Sequence, residues 1–278
     1  MEDKVSMRPF SPVADLDFSE EEIQRYSRHI LLPEIGAVGQ AKLRASSVLI
    51  IGAGGLGSPA LLYLAAAGIG RIGIIDDDRI ELSNLQRQIA HATDRIGQPK
   101  ASSAAAAARA INPLCQVEPI EGRITAHNAL ALVGGYDLVL DGSDNFATRF
   151  LIADACVLAK RTLVSASVLR FEMQLSTFKP HVSASAPCWR CLYPEHPPAE
   201  MATSCGEAGV LGAVTGVAGT LQATETVKEL LGIGTSLAGR LLIWDALSAE
   251  FRTIRFPRDP ACAACGEAAT IRDLSAHR

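Results

Sequence analysis

Residues 46–76, SSVLIIGAGGLGSPALLYLAAAGIGRIGIID, alternate between two kinds of apolar run. VLII stops at a glycine-rich turn, a longer Ala/Leu-rich run follows, and IGIID closes the segment. Short continuous apolar runs bounded by glycine suit strands buried on both faces, and the longer run between them suits a helix. The segment therefore predicts a strand, a turn, a helix and a second strand, the βαβ unit of a parallel sheet. Upstream, Ser19 with Glu22 three residues later is a capping-box pattern that opens a helix over about 20–30. Downstream, PKASSAAAAARAI at 99–111 is alanine-rich and predicts a helix. Further strands are predicted at 116–120, 137–141 and 162–167, with helices between them.

After residue 170 the pattern changes. FEMQLSTF (171–178), GRLLIW (239–244) and EFRTIRF (250–256) alternate over short distances without intervening helices. Such segments read as antiparallel strands added to one end of the sheet. Between them, residues 208–233 form a Gly- and Ala-rich helical stretch. Gln222, Glu225, Lys228 and Glu229 interrupt it, so its apolar run is too short to span a bilayer, and a core or a subunit interface suits it better. The predicted fold class is α/β: a Rossmann-like nucleotide-binding sheet with helices on both faces, extended by antiparallel strands. Residues 1–18 read as an N-terminal arm, 19–267 as one domain, and 268–278 as a C-terminal tail.

Bulk properties narrow the function. A chain of 278 residues, 48% hydrophobic and 20% charged, is long enough for an ordinary buried core. Its formal net charge of −4 argues against broad nucleic-acid binding, which needs a basic surface. The first residues, MEDKVSMRPF, lack the apolar h-region of an export signal. Seven cysteines in such a chain suggest reduced thiols in the cytoplasm, used for metal binding or chemistry.

The glycine turn GAGGLG is the first candidate site. Gly52, Gly54, Gly55 and Gly57 allow a tight strand-to-helix turn and close backbone approach, and the helix N-terminus behind them favours phosphate. Asp76 ends the next strand, where a carboxylate can accept from ribose hydroxyls. A G-x-G-x-x-G alone is weak evidence and leaves NAD and ATP equally open. Arg28, Arg87 and Lys100 flank the turn in the patterns RYSR, NLQRQ and GQPK. Each alone reads as a surface charge. Together they suit a reacting triphosphate, whose negative charge repels an anionic nucleophile until cations offset it. DGSDN at 141–145 follows a strand, which makes Asp144 the candidate magnesium ligand. Asp141 and Asn145 suit helix capping equally well.

CWRC (188–191) and CAAC (262–265) supply four thiolates from two C-x2-C pairs. Cys188, Cys191, Cys262 and Cys265 together would close a tetrahedral zinc site with no open position, hence a structural clip. A redox pair or disulfides are the alternatives. Cys115 and Cys156 fall in predicted strand and helix and read as buried apolar residues. Cys205 stands just before a predicted helix, where a thiolate is stabilised, so it is a candidate nucleophile. The six histidines show no ligand spacing.

RYSRHILL, GAGGLG, DDDRIELSNLQRQ, GQPK, DGSDN and the C-x2-C pairs, in this order, resemble the MoeB/ThiF/HesA adenylyltransferases, bacterial relatives of the ubiquitin-activating enzymes, over roughly residues 19–267. The resemblance implies a homodimer that binds ATP and Mg2+. It also implies adenylation of the C-terminal glycine of a ubiquitin-like sulfur carrier ending in Gly-Gly, which a sulfur donor then converts to a thiocarboxylate. Carried over by motif, Asp76 would hold the ribose, Asn84, Arg87 and Lys100 the phosphates, and Asp144 magnesium. Arg28 would reach into the partner subunit's site, and Cys205 matches a cysteine that some relatives use in sulfur transfer. SCGEAGVLG is most similar to the branch that activates the small subunit of molybdopterin synthase, with the thiamine-pathway carrier as the rival. No rhodanese-like extension follows the cysteine clip, so the expected sulfur source is a separate donor such as a cysteine desulfurase or rhodanese. An NAD-dependent oxidoreductase and a silent binding scaffold are the readings from other classes.

Overall fold

The computed structural model describes residues 16–196 and 209–277. Strands β1 (Ser47–Ile51), β2 (Arg71–Asp76), β3 (Gln116–Glu121), β4 (Leu138–Asp141), β5 (Thr162–Leu169), β6 (Glu172–Phe178), β7 (Arg240–Asp245) and β8 (Glu250–Arg255) form a single sheet. Its spatial order is β3-β2-β1-β4-β5-β6-β7-β8. The first five strands run parallel, and β5 to β8 pair antiparallel. The predicted doubly wound sheet with an antiparallel extension is therefore the fold.

Its continuous apolar strands are buried on both sides. In β1, Val48 and Ile50 face a cluster with Leu61 and Leu64, while Leu49 and Ile51 face one with Val139 and Phe150. Residues of α3 (Gly57–Ala66), α4 (Lys100–Ile111) and a 20-residue helix, Gly212–Leu231, cover the first face. Helices Ala129–Gly134 (α5) and Phe146–Ala159 (α6) cover the other. The short α7 spans Trp189–Leu192, and Gly212–Leu231 becomes α8.

The Gly/Ala richness of α8 has a packing cause. A Cβ at Gly219 would sit 2.4 Å from Leu56 O, so only glycine lets α8 approach the glycine turn this closely. Its polar residues point inward as well. Gln222 Nε2 donates to Asp141 O at 2.7 Å, and Glu225 accepts from Leu237 N at 2.6 Å. Among the described residues no helix is long and apolar enough to cross a membrane.

Helix α1 (Glu20–Ile30) has the predicted capping box, with Ser19 N donating to Glu22 Oε2 at 2.9 Å and Glu22 N to Ser19 Oγ at 3.2 Å. Helix α2 (Gly36–Ala45) carried no sequence signal. Its glycines lower intrinsic propensity, and it forms through packing on α1 and α8. The β5–β6 turn falls one residue later than the pattern implies. Arg170 takes a left-handed φ of 55°, and Phe171 lies in the turn instead of opening β6. Residues 268–277, read as a tail, dock on the domain: Leu274 is buried and His277 Nε2 lies 2.7 Å from Asp154 Oδ2.

The two neighbours β1 and β4 are the point where strand order reverses. Ligands of open α/β sheets bind outside the C-terminal strand ends at that point.

Candidate nucleotide-binding site

A cavity of about 440 Å³ opens at this switch point. Its first wall is the glycine turn. Gly52 has a φ of +92°, and a Cβ on Gly57 would lie 1.8 Å from Gly52 O, so the turn closes only with glycine at both places. Gly52, Gly54 and Gly55 line the cavity; Gly57 does not, and its part is to begin α3. The residue before it, Leu56, supplies no side-chain cap; Ser58 N donates to Gly54 O at 2.9 Å and Pro59 has no N–H.

Asp76 closes the turn from below. Its Oδ2 accepts from Ala53 N at 2.7 Å and its Oδ1 from Asp78 N at 2.9 Å. Burial pushes its pKa above the ordinary aspartate value, and the two backbone N–H groups and the Lys100 charge oppose that rise. Each oxygen keeps acceptor capacity for a ligand hydroxyl.

Lys100 is the first residue of α4, and its buried Nζ bonds Asp78 Oδ2 at 2.8 Å. It faces both this cavity and an adjoining one of about 160 Å³ lined by Arg79, Glu81 and Asn84. Arg87 lines the main cavity, with Nη1 donating to Ser83 O at 3.1 Å. Asn84 does not line it: its Oδ1 accepts from Glu81 N at 3.0 Å, fixing the turn that carries Arg87.

Gln88, two positions beyond Gln86 in NLQRQ, is a site residue the sequence reading passed over. Gln86 is exposed, whereas Gln88 is buried against Gly54 and lines the cavity. Its Oε1 has no hydrogen-bond partner. An amide placed so offers either its oxygen or, turned by half a rotation, its NH2 to a ligand. Nothing in the periodicity marked it.

The opposite wall comes from β4 and α6. Asp144 is exposed and lines the cavity. Asn145 also lines it, and caps α6 by accepting from Thr148 N at 2.9 Å. Asp141 is a buried brace, not a helix cap. It accepts from Ser143 N at 3.0 Å, Ser143 Oγ at 2.6 Å and Ser165 Oγ at 2.7 Å, and lies 3.7 Å from Arg149 Nη1. Arg149, another unforeseen member, donates to Ala166 O at 2.9 Å and Ser143 O at 2.5 Å. These bonds hold the loop that presents Asp144. Farther out, the cavity continues along β5–β7 past Ser167, Gln174 and Leu241, with Tyr193 OH donating to Gln174 Oε1 at 2.8 Å.

Arg28 is exposed in the last turn of α1 and is not among the residues lining this cavity. Cys205 lies outside the described residues. Cys115 and Cys156 are buried, as expected; burial pushes the Cys115 thiol up to about 12 and the Cys156 thiol up as well.

The four remaining cysteines meet. Cys188, Cys191, Cys262 and Cys265 have Sγ atoms within 4.8 Å of one another, with Cys188–Cys262 and Cys191–Cys265 both at 3.5 Å and Cys188–Cys191 at 3.9 Å. Four sulfurs held tetrahedrally at about 2.3 Å from a metal stand about 3.8 Å apart, so the cluster has the size of a metal site. Asp259 N donates to Cys191 Sγ at 3.4 Å, a bond suited to a thiolate.

Sheet order, glycine turn and strand-end acids together define an α/β domain of the doubly wound class with a cavity at its switch point. The chain belongs to the ThiF family, whose model matches residues 26–264. It is 53% identical over 271 residues to adenylyltransferase and sulfurtransferase MOCS3 of Bos taurus, covering 97% of this chain and 58% of that protein. It is 47% identical over 259 residues to a sulfur carrier protein adenylyltransferase of Thermus thermophilus, covering 92% of this chain and 96% of that one. The crystal structure of Escherichia coli MccB with ATP shares the fold at 23% identity, with a TM-score of 0.71 over 87% of this chain and 73% of that one. PaaA does so at 22% identity, with a TM-score of 0.73 over 91% and 78%.

Proposed function

We propose that the protein is an adenylyltransferase that uses ATP to activate the C-terminal glycine of a ubiquitin-like sulfur carrier, the small subunit of molybdopterin synthase. One observation carries the reading: Asp76, Arg87, Lys100 and Asp144, far apart in sequence, line one cavity over the glycine turn. The Thermus thermophilus relative, matched over nearly its whole length, bears a name that supports the same activity.

In this reading the phosphates lie on the Gly52–Gly57 turn, within reach of the Gln88 amide, and Asp76 receives the ribose. The cavity arm past Ser167, Gln174 and Leu241 admits an extended Gly-Gly tail. A C-terminal carboxylate is ionised near neutral pH and needs no general base. Its oxygen attacks the α-phosphorus, the bond to the β-phosphate oxygen breaks, and pyrophosphate leaves. Lys100 and Arg87 offset the charge shared by nucleophile and leaving group. Asp144 would hold Mg2+, which supplies further neutralisation of the phosphates. Cys188, Cys191, Cys262 and Cys265 would hold a structural Zn2+.

Persulfide sulfur from a separate donor such as a cysteine desulfurase or rhodanese then displaces AMP from the acyl-adenylate, and a thiol reductant cleaves the resulting acyl disulfide to the thiocarboxylate. The enzyme works in the cytoplasm as a homodimer in which Arg28 completes the partner's site. Cys205 belongs to sulfur transfer and not to adenylation. Pyrophosphate–ATP exchange tests this directly. Exchange should require a carrier ending in Gly-Gly, be fastest with the molybdopterin-synthase subunit and persist in Cys205→Ser. A faster rate with the thiamine-pathway carrier would reassign the pathway, and carrier-independent exchange would defeat the reading.

A further inference from the structure

His91 is a buried titratable group that the proposed chemistry leaves unused. It sits behind the glycine turn and does not line the cavity. Its Nε2 lies 3.0 Å from Ala53 O and its Nδ1 lies 3.1 Å from Ser103 Oγ. A carbonyl only accepts, so Nε2 carries the proton; Nδ1 of the neutral ring is then the acceptor for the Ser103 hydroxyl. Burial lowers the pKa of the ring, and the nearby cations of Lys100 and Arg95 lower it further, so the neutral form is the resident one.

The two contacts tie the glycine turn to α4 by a second route, beside the Ala53–Asp76–Asp78–Lys100 run of hydrogen bonds. Ala53 is the second residue of the turn, and its N–H is held by the ribose-side carboxylate of Asp76. Its C=O is held by His91 and by Ser58 Oγ at 3.2 Å. With both ends of that residue fixed, the peptide leading to Gly54 cannot swing. The backbone of Gly54 and Gly55, which lines the cavity, is held in place behind it. Ser103 lies three residues beyond Lys100 on α4, and its carbonyl accepts from Arg95 Nη1 at 2.8 Å. His91 therefore spans from the phosphate-binding backbone to the helix that delivers the phosphate-binding cation.

We propose that His91 is a positioning residue for nucleotide binding, setting the register between the glycine turn and Lys100. The inference rests on the nucleotide reading of the cavity. A donor at the Nε2 position is the needed property, because it alone reaches the turn.

The test compares His91→Leu, which fills the space without a donor, with His91→Gln, whose amide NH2 falls near the Nε2 position. ATP affinity is read by calorimetry, and exchange kinetics give KM for ATP and for the carrier. His91→Leu should weaken ATP binding about tenfold and raise KM for ATP to match, with KM for the carrier unchanged. His91→Gln should recover most of that loss. If His91→Leu does not fold, His91→Asn replaces it, since its shorter amide misses Ala53 O. Loss of active protein with an unaltered KM for ATP would mean His91 only supports the fold, and would overturn the inference. Equal weakening in the donor-less and donor-bearing variants, or wild-type affinity in both, would overturn it too. Failure of the unaltered protein to bind ATP would instead overturn the nucleotide reading, and the inference with it.

Discussion

The cleft stands at the strand ends of the switch point and the four-cysteine cluster on α7 and the loop after β8, and their polar groups are treated differently. In the clip, every ligand-bearing segment is braced. Arg190, between Cys188 and Cys191, bonds Asp154 at 2.7 and 2.8 Å, and Trp189 packs edge-on to Phe150 with centroids 4.5 Å apart. Arg258 binds the Cys265 carbonyl and, at 3.1 Å, Ala184 O. In the cleft, Gln88 Oε1 has no partner, Asp144 is exposed and α3 lacks a side-chain cap. A buried polar atom left unpaired costs about 1–3 kcal/mol. Arg161 Nε, Gln222 Oε1 and Thr226 Oγ1 carry that cost elsewhere in the fold, and Gln88 carries it where it lines the cavity. The cysteine cluster is braced on every side, whereas the cleft leaves polar groups open beside its cavity.

If that contrast is right, Asp144→Ala should lower pyrophosphate exchange by roughly 10³-fold while leaving the thermal midpoint almost unchanged. Exchange assays beside calorimetric melting check this, and retained activity would remove Asp144 from the proposed metal role. The clip should behave in the opposite way. Cys262→Ser, or removal of metal by a chelator, should lower the unfolding midpoint by on the order of 10 °C, with ATP affinity in the surviving folded fraction nearly unchanged. Elemental analysis should find about one zinc per chain. A metal-free protein with full stability would break the comparison from the clip side.

A smaller effect sharpens the cleft. Arg28→Ala and Asp144→Ala, each inactive alone, should recover about a quarter of wild-type exchange when their subunits are mixed, because half the dimers formed at random are heterodimers with one complete site. No recovery, with subunit exchange verified by mass spectrometry, would mean that Arg28 does not act across a dimer.

The smallest effect concerns pH. Burial raises the Asp76 pKa, so its carboxylate takes up a proton at a higher pH in the folded protein than in the unfolded chain. The folded state binds the extra proton, and the charged form costs stability that is regained as pH falls through the folded pKa. ATP binding needs the charged acceptor and should move the other way. Affinity measured by titration should begin to weaken above the ordinary aspartate range, near pH 4. Affinity constant down to that range would remove Asp76 from the ribose site.

Local pattern carried much of this molecule. VLII and IGII, short and bounded by glycine, suited strands buried on both faces, and Ser19 with Glu22 marked the start of α1. Strand, glycine turn, helix and strand-end acid follow one another within 30 residues, so the cleft's skeleton is readable from spacing alone. The C-x2-C pairs were equally legible, because four thiols admit few uses. Gln88, Arg149 and His91 were not legible. Each is a polar residue in a helical or turn context where exposure is the usual outcome, and each is buried only because distant segments close over it. Helix α2 and the docking of Leu274 were hidden for the same reason, since their stabilisation comes from tertiary partners and not from local propensity. The sequence by itself determined the order of the strands, the glycine turn and the two C-x2-C pairs, because these follow from steric and ligand rules acting over short spans. Only the tertiary structure decided which polar groups lose water, since burial depends on what packs from far along the chain. That loss separates Gln88, facing the cavity, from Gln86, facing solvent, two residues away.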